Sequence, residues 1–206
     1  MRKIFITGIG TDVGKTVVSA VLTEALEADY WKPVQTGSGF GSDTEKIDRL
    51  VTNSVSKTHP EAYKFEAYVA PHAAAAAEGR SIDIDSITLP KTDNKTLIIE
   101  GAGGLMVPIN EKHFMVDLIK KLDAETVLVS QNYLGNINHT LLSCEAMRAR
   151  GIKVLGIIFT GTENASSENI ILANAGYPFL GRINREVAIT AEVIKKYAAI
   201  FADKLK

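Results

Sequence analysis

The chain has 206 residues, 46% of them apolar and 23% charged, with a formal net charge of −1 at pH 7. That length fits one domain. Mixed charges with no basic block speak against nucleic acid, and no run of about 18 apolar residues offers a membrane span. Cys144 is the sole cysteine, which rules out a disulfide within the chain and argues against a cysteine zinc site.

In chain order, short apolar runs alternate with helical patterns. KIFIT (3–7) reads as a first strand, and its apolar stretch is too short for a secretory core, so the chain is expected in the cytoplasm. A helix is predicted over 15–28, then a strand in DYWKPV (29–34) and a helix over 43–51. The stretch 52–94 is the least regular and reads as an excursion over the strand ends. Inside it, Pro71 stands at a plausible first helical position of a helix over 71–78, where Ala73 to Ala77 favour the helix strongly. TLIIE (96–100) and TVLVS (126–130) are nearly continuous in apolar residues, as in strands buried on both faces. Helices are predicted over 115–122 and 137–150, the latter closed by Gly151. A strand VLGIIF (154–159) follows, then a helix over 166–175 closed by Gly176, a strand FLGRI (179–183) and a helix over 186–204. Alternating strands and helices predict a mostly parallel central sheet with helices on both faces. Cys144 lies at helical spacing and reads as a small buried hydrophobe.

The most informative segment joins the first strand to the first helix: Thr7-Gly8-Ile9-Gly10-Thr11-Asp12-Val13-Gly14-Lys15-Thr16. A glycine-rich turn at that point aims backbone N–H groups and the positive end of a helix dipole at phosphate oxygens. Lys15 suits the β- and γ-phosphates, and the Thr16 hydroxyl suits Mg²⁺. Counted from Gly10, three residues precede Gly-Lys-Thr, and from Gly8 five, so the usual four-residue spacing is not met. The strand, loop and helix context carries the reading: an α/β, single-domain fold of the P-loop NTPase type over 1–206.

Two further segments end strands. Lys32-Pro33-Val34-Gln35-Thr36-Gly37 closes the second strand, and ligands of open α/β sheets bind beyond such ends. Lys32 there suits charge on a transferring phosphoryl group. Glu100-Gly101-Ala102-Gly103-Gly104 leaves the buried strand TLIIE. A carboxylate in that position is costly unless paired or metal-bound, and the glycines let backbone approach a ligand. Asp43, after Ser42, serves equally as a helix-cap acid or a site acid.

Together these segments resemble the dethiobiotin synthetase family in order through most of the chain. GTDVGKT is similar to its phosphate loop, with Asp12 where Glu is frequent. KPVQTG is similar to its Lys-Pro-Val segment, Ser42-Asp43 to its nucleotide and metal acid, and EGAGG to its most recognisable stretch. Tyr133-Leu134-Gly135-Asn136-Ile137-Asn138-His139 resembles its turn into a helix, and APHAAAAAEG its Ser-Pro-His helix start.

The resemblance implies an ATP- and Mg²⁺-dependent ligase that makes dethiobiotin from 7,8-diaminononanoate and CO₂. It implies catalytic roles for Lys15 and Lys32. It implies ATP contacts from Asp12, Val13, Gly14, Lys15, Thr16, Val17, Asp43, Glu100, Gly101, Ala102 and Gly103. Mg²⁺ is expected on Thr16, Asp43 and Glu100. Substrate contacts are expected from Thr11, Thr36, Gly37, Gly135, Asn136, Ile137 and Asn138, the last four presented to the partner subunit of a homodimer. His139 and His72 read as structural, and His59 and His113 carry no signal.

The chain also departs from the pattern. Where many members have Asn-Asp after the strand matching VLGIIF, this one has Thr160-Gly161, so the adenine-reading carboxamide is missing. Asn164 lies near, and Asn184 is a further candidate for base contacts. Two alternatives remain at this stage. A partitioning-type ATPase switch normally carries an extra Lys early in the loop, and Gly8 to Gly14 has none. An amidating ligase normally carries a nucleophilic cysteine in a glutaminase domain, for which the chain has no room.

Overall fold

The computed structural model describes residues 1–205. Its strands are β1 (Arg2–Gly8), β2 (Asp29–Trp31), β3 (Val34–Gln35), β4 (Thr58–His59), β5 (Tyr63–Lys64), β6 (Thr96–Gly104), β7 (Glu125–Gln131), β8 (Val154–Thr160) and β9 (Phe179–Ile183). Its helices are α1 (Lys15–Leu26), α2 (Asp43–Leu50), α3 (Pro71–Ala77), α4 (Met115–Leu122), α5 (Asn136–Ala149), α6 (Ala165–Ala175) and α7 (Ala191–Phe201).

Seven strands form one sheet in the order β4-β2-β6-β1-β7-β8-β9, and every pairing in it is parallel. Parallel strands need crossovers, and the helices supply them on both faces. Strand alternation divides the core in two. Ile4, Ile6, Tyr30, Ile98, Val127 and Val129 point to the face covered by α1, α2 and α7. Phe5, Trp31, Leu97, Ile99 and Leu128 point to the other, covered by α3 to α6. Cys144 is buried on that second face, and burial pushes its thiol up to about 11, which suits packing rather than reactivity.

Three differences from the sequence reading have physical causes. DYWKPV is not one strand: Pro33 has no N–H to give the ladder, so β2 stops at Trp31 and Val34 starts a separate two-stranded sheet with β5. The strand read in TLIIE does not end at Glu100: β6 runs on to Gly104, which still pairs with Gly8 of β1. The last helix begins at Ala191, because Thr190 caps it by accepting from the Val193 N–H. The irregular stretch contributes the short strands β4 and β5, which the sequence reading did not include.

Candidate active site at the strand ends

The neighbouring strands β2, β6 and β1 end side by side in the interior of the sheet, where the loop from β1 leads into α1. A cavity of about 1390 Å³ opens there. Gly14 caps α1 in the left-handed region, with φ 91°, a conformation that favours glycine. A Cβ on Gly14 would lie 3.2 Å from Thr160 Cγ2. Thr160 itself braces the loop, donating its hydroxyl to the Val13 carbonyl at 2.8 Å. Gly104 allows a second close approach: a Cβ there would come 3.2 Å from the Gly8 carbonyl, so β6 passes directly against the loop backbone.

Four charged side chains meet at the cavity floor. Glu100, 1% exposed, accepts on Oε1 from Thr16 at 2.9 Å and from Lys32 at 3.0 Å. Lys32 also pairs with Asp43, which in turn binds Lys46 at 2.8 Å. Asp43 is placed by a capping box: Ser42 accepts from the Glu45 N–H, and the Glu45 carboxylate accepts from the Ser42 N–H. Its own N–H donates to Gln35 Oε1 at 3.0 Å.

The surroundings treat the two lysines differently. Burial works against the Lys32 charge, but Glu100 and Asp43 outweigh it and hold its pKa above the ordinary lysine value. Burial likewise opposes ionisation of Asp43, and Lys32 overrides it, drawing the carboxyl down to about 2. For Lys15, burial wins and Lys32 adds to the fall, so its pKa drops to about 8 although Glu100 opposes this. The Lys15 ammonium donates to the Gly10 carbonyl at 2.7 Å. A bound polyphosphate would give it a stronger partner.

Most of the expected site residues line this one cavity. The loop gives Thr11, Asp12, Gly14, Lys15, Thr16 and Val17, the segment around β3 gives Lys32, Thr36 and Gly37, and Asp43, Glu100, Ala102 and Gly103 complete the floor and wall. Val13 and Gly101 do not line it. Val13 is buried behind the loop, and a Cβ on Gly101 would press on Phe5 at 2.7 Å. Asn184 is exposed and does not line the cavity, its backbone N–H donating to the Tyr197 hydroxyl at 3.0 Å. Asn164 is spent as the cap of α6, accepting from Ser167. Gly135, Asn136, Ile137 and Asn138 sit elsewhere, at the start of α5. Asn136 is buried there and donates to Asn132, while Leu134 beside it is fully exposed.

Several wall residues were missed in the sequence. Gln35 lies inside KPVQTG, with no signal to mark it as the partner of Asp43. Tyr68 comes from the irregular stretch and donates to Asp12 at 3.0 Å, reaching across the cavity mouth. Arg49, Leu50 and Ile189 to Ala191 close the far side.

Thr16, Asp43 and Glu100 bring hard oxygen donors together, the kind Mg²⁺ selects. They are too few for an all-protein cage, which matches a Mg²⁺ held jointly with nucleotide phosphates. Among the described residues no group of three or more His, Cys, Asp or Glu stands ready for a metal.

The chain matches a family model described as an AAA domain over residues 2–193. It is 50% identical over 203 residues to the ATP-dependent dethiobiotin synthetase BioD of Cytophaga hutchinsonii, covering 98% of each. To the protein of the same name from Christiangramia forsetii it is 48% identical over 204 residues, covering 99% of this chain and 98% of that one. For Paramagnetospirillum magneticum the identity is 44%, over 94% and 93%. Among solved structures it is similar to a ParA family ATPase from Chlorobium tepidum (TM-score 0.58, 14% identity, 99% of this chain and 91% of that one). It is also similar to the septum site-determining protein MinD of Pyrococcus horikoshii complexed with Mg-ADP (TM-score 0.59, 15% identity, 98% and 92%). At such identities these two show the fold alone, that of P-loop NTPases.

Proposed function

The chain belongs to the ATP-dependent dethiobiotin synthetase family, and from that premise we propose that it carboxylates 7,8-diaminononanoate and closes the ureido ring of dethiobiotin, as a single-domain cytoplasmic homodimer. It is an ATP-dependent ligase that forms C–N bonds, in biotin biosynthesis. The observation that carries the detailed reading is the Lys32 ammonium, buried and charged between Asp43 and Glu100 on the floor of the cavity that Lys15 and the phosphate loop also line.

The reaction runs in three balanced steps. One amine adds to CO₂ and loses a proton, giving a carbamate. A carbamate oxygen attacks the γ-phosphorus, the bond to the ADP oxygen breaks, and a carbamic–phosphoric anhydride forms. The second amine attacks the carbonyl carbon, phosphate leaves, and loss of a proton completes the ring. None of these steps needs a protein nucleophile. They need positioning and neutralised charge.

The loop N–H groups and Lys15 hold the phosphates. Thr11, Thr36 and Gly37 border the same space and would hold the carbamate or diamine. Lys32 stabilises charge on the transferring group. Thr16, Asp43 and Glu100 would hold Mg²⁺, which neutralises β- and γ-phosphate charge when bound. The start of α5, outside the cavity of its own chain, would present Gly135 to Asn138 to the substrate carboxylate of the partner, as helix N-termini do.

The test is phosphate release from ATP with Mg²⁺ and bicarbonate, with and without 7,8-diaminononanoate, followed by product mass. Release that depends on the diamine, with a ureido product, is expected. Turnover indifferent to the diamine would overturn the reading.

A further inference from the structure

Glu100 is held from two directions, and only one of them faces the cavity. On Oε1 it accepts from Thr16 and Lys32, both of which line the cavity. On Oε2 it accepts from the Tyr30 hydroxyl at 3.0 Å. A carboxylate has no proton to give, so the phenol is the donor. Tyr30 is 0% exposed and does not line the cavity. The parallel register pairs Tyr30 with Ile98, two residues before Glu100, which puts ring and carboxylate on the α1 face of the sheet. The ring therefore runs under the site and reaches the carboxylate from behind.

The partners differ in what a ligand does to them. Thr16 and Lys32 have other tasks once nucleotide and substrate are bound, one toward a cation and the other toward the transferring phosphoryl group. Their bonds to Oε1 are then shared or given up. Nothing that enters the cavity competes for the Tyr30 hydroxyl. We propose that Tyr30 is a positioning residue for the metal–nucleotide site: it fixes Oε2 of Glu100 from the buried side, so that Oε1 alone faces the cavity while Thr16 and Lys32 change partners. The proposal rests on the reading of Glu100 as a Mg²⁺ ligand. Partners of this kind orient ligands that would otherwise swing between rotamers.

Tyr30→Phe keeps the ring and removes one hydroxyl. Tyr30→Leu keeps an apolar filling and serves as a second variant. The measurement is Mn²⁺ binding to the protein with a non-hydrolysable ATP analogue, read by electron paramagnetic resonance, beside a thermal melt and metal-free ADP binding. A fall of roughly 10-fold in Mn²⁺ affinity in both variants is expected, with metal-free ADP binding unchanged. Mn²⁺ affinity equal to wild type in a folded variant overturns the proposal. So does a parallel loss of Mn²⁺ and ADP binding that tracks the fraction unfolded. No diamine is present, so the result stands apart from the ring-closure reaction, which the phosphate-release assay tests separately.

Discussion

At the scale of single residues, Lys15 and Lys32 are the same side chain made into different tools by their neighbours. Lys32 is locked as a cation by two carboxylates, whereas Lys15 gives up part of its hold on a proton to burial. Lys32→Met therefore has two separable effects. The developing charge on the transferring group loses its donor, so kcat falls by about 10²–10³. The two acids also lose the cation between them, and although Asp43 keeps Lys46 and Glu100 keeps Thr16 and Tyr30, stability should fall by about 3 kcal/mol. Added Mg²⁺ should recover part of the melting temperature but not the rate, because a cation between the acids restores charge and not the ammonium's position. A Lys32→Met variant with wild-type kcat would remove Lys32 from the chemistry. Thr160 carries a second prediction. Its hydroxyl is committed to the Val13 carbonyl, Asn164 is a helix cap and Asn184 lies outside the cavity. With Thr160 standing where a carboxamide would read the base edge, KM values for ATP, GTP and CTP should lie close together. A strong ATP preference would show that some other group reads the adenine.

At the scale of elements, the excursion between β2 and β6 is tied down by one buried carboxylate at the start of β2. Asp29 accepts from the Lys57 N–H at 2.9 Å, from Asn94 at 3.2 Å and from the Thr92 hydroxyl, and a ring nitrogen of His59 lies 2.8 Å away. Burial opposes its ionisation, but Thr92, His59, Lys57 and Asn94 outweigh it and lower its pKa. A depressed carboxylate contributes stability that is complete above the ordinary aspartate pKa and is lost as pH falls through the depressed value. Asp29→Asn should thus be less stable at pH 7 by about 1–3 kcal/mol, and urea melts should show that gap closing below about pH 4. A gap that stays constant with pH would mean that Asp29 acts by shape alone.

This clamp was not legible in the sequence. β4 and β5 are two residues each, set by partners distant in the chain, and leave no periodicity to read. TLIIE and TVLVS were legible because a strand covered on both faces must be apolar throughout. Glu100 stood out because a carboxylate ending such a strand needs a partner. Tyr30 and Gln35 were silent, since each looks like an ordinary strand residue until the register shows what lies beside it.

At the scale of the whole molecule, the expected substrate residues fall into two sets that one chain does not bring together. Thr11, Thr36 and Gly37 line the cavity together with Lys32, whereas Asn138 and its neighbours start α5 outside it. At that helix start Tyr133 and Leu134 are exposed, as is Leu142 further along α5, and burial of such side chains against a partner would be favourable. A two-fold dimer that turns this surface toward the partner's cavity would complete two identical sites, each with Lys32 from one subunit and Asn138 from the other. Complementation then decides the matter. Lys32→Met and Asn138→Ala homodimers should each be nearly inactive. Dissociated and re-formed from an equal mixture, half the dimers are mixed, and each of those holds one site with both residues intact. Activity should return to about one quarter of wild type. If each chain instead completed its own site, mixing would give only the average of the two variants, and Leu134→Glu, expected to yield monomers without diamine-dependent turnover, would keep its activity.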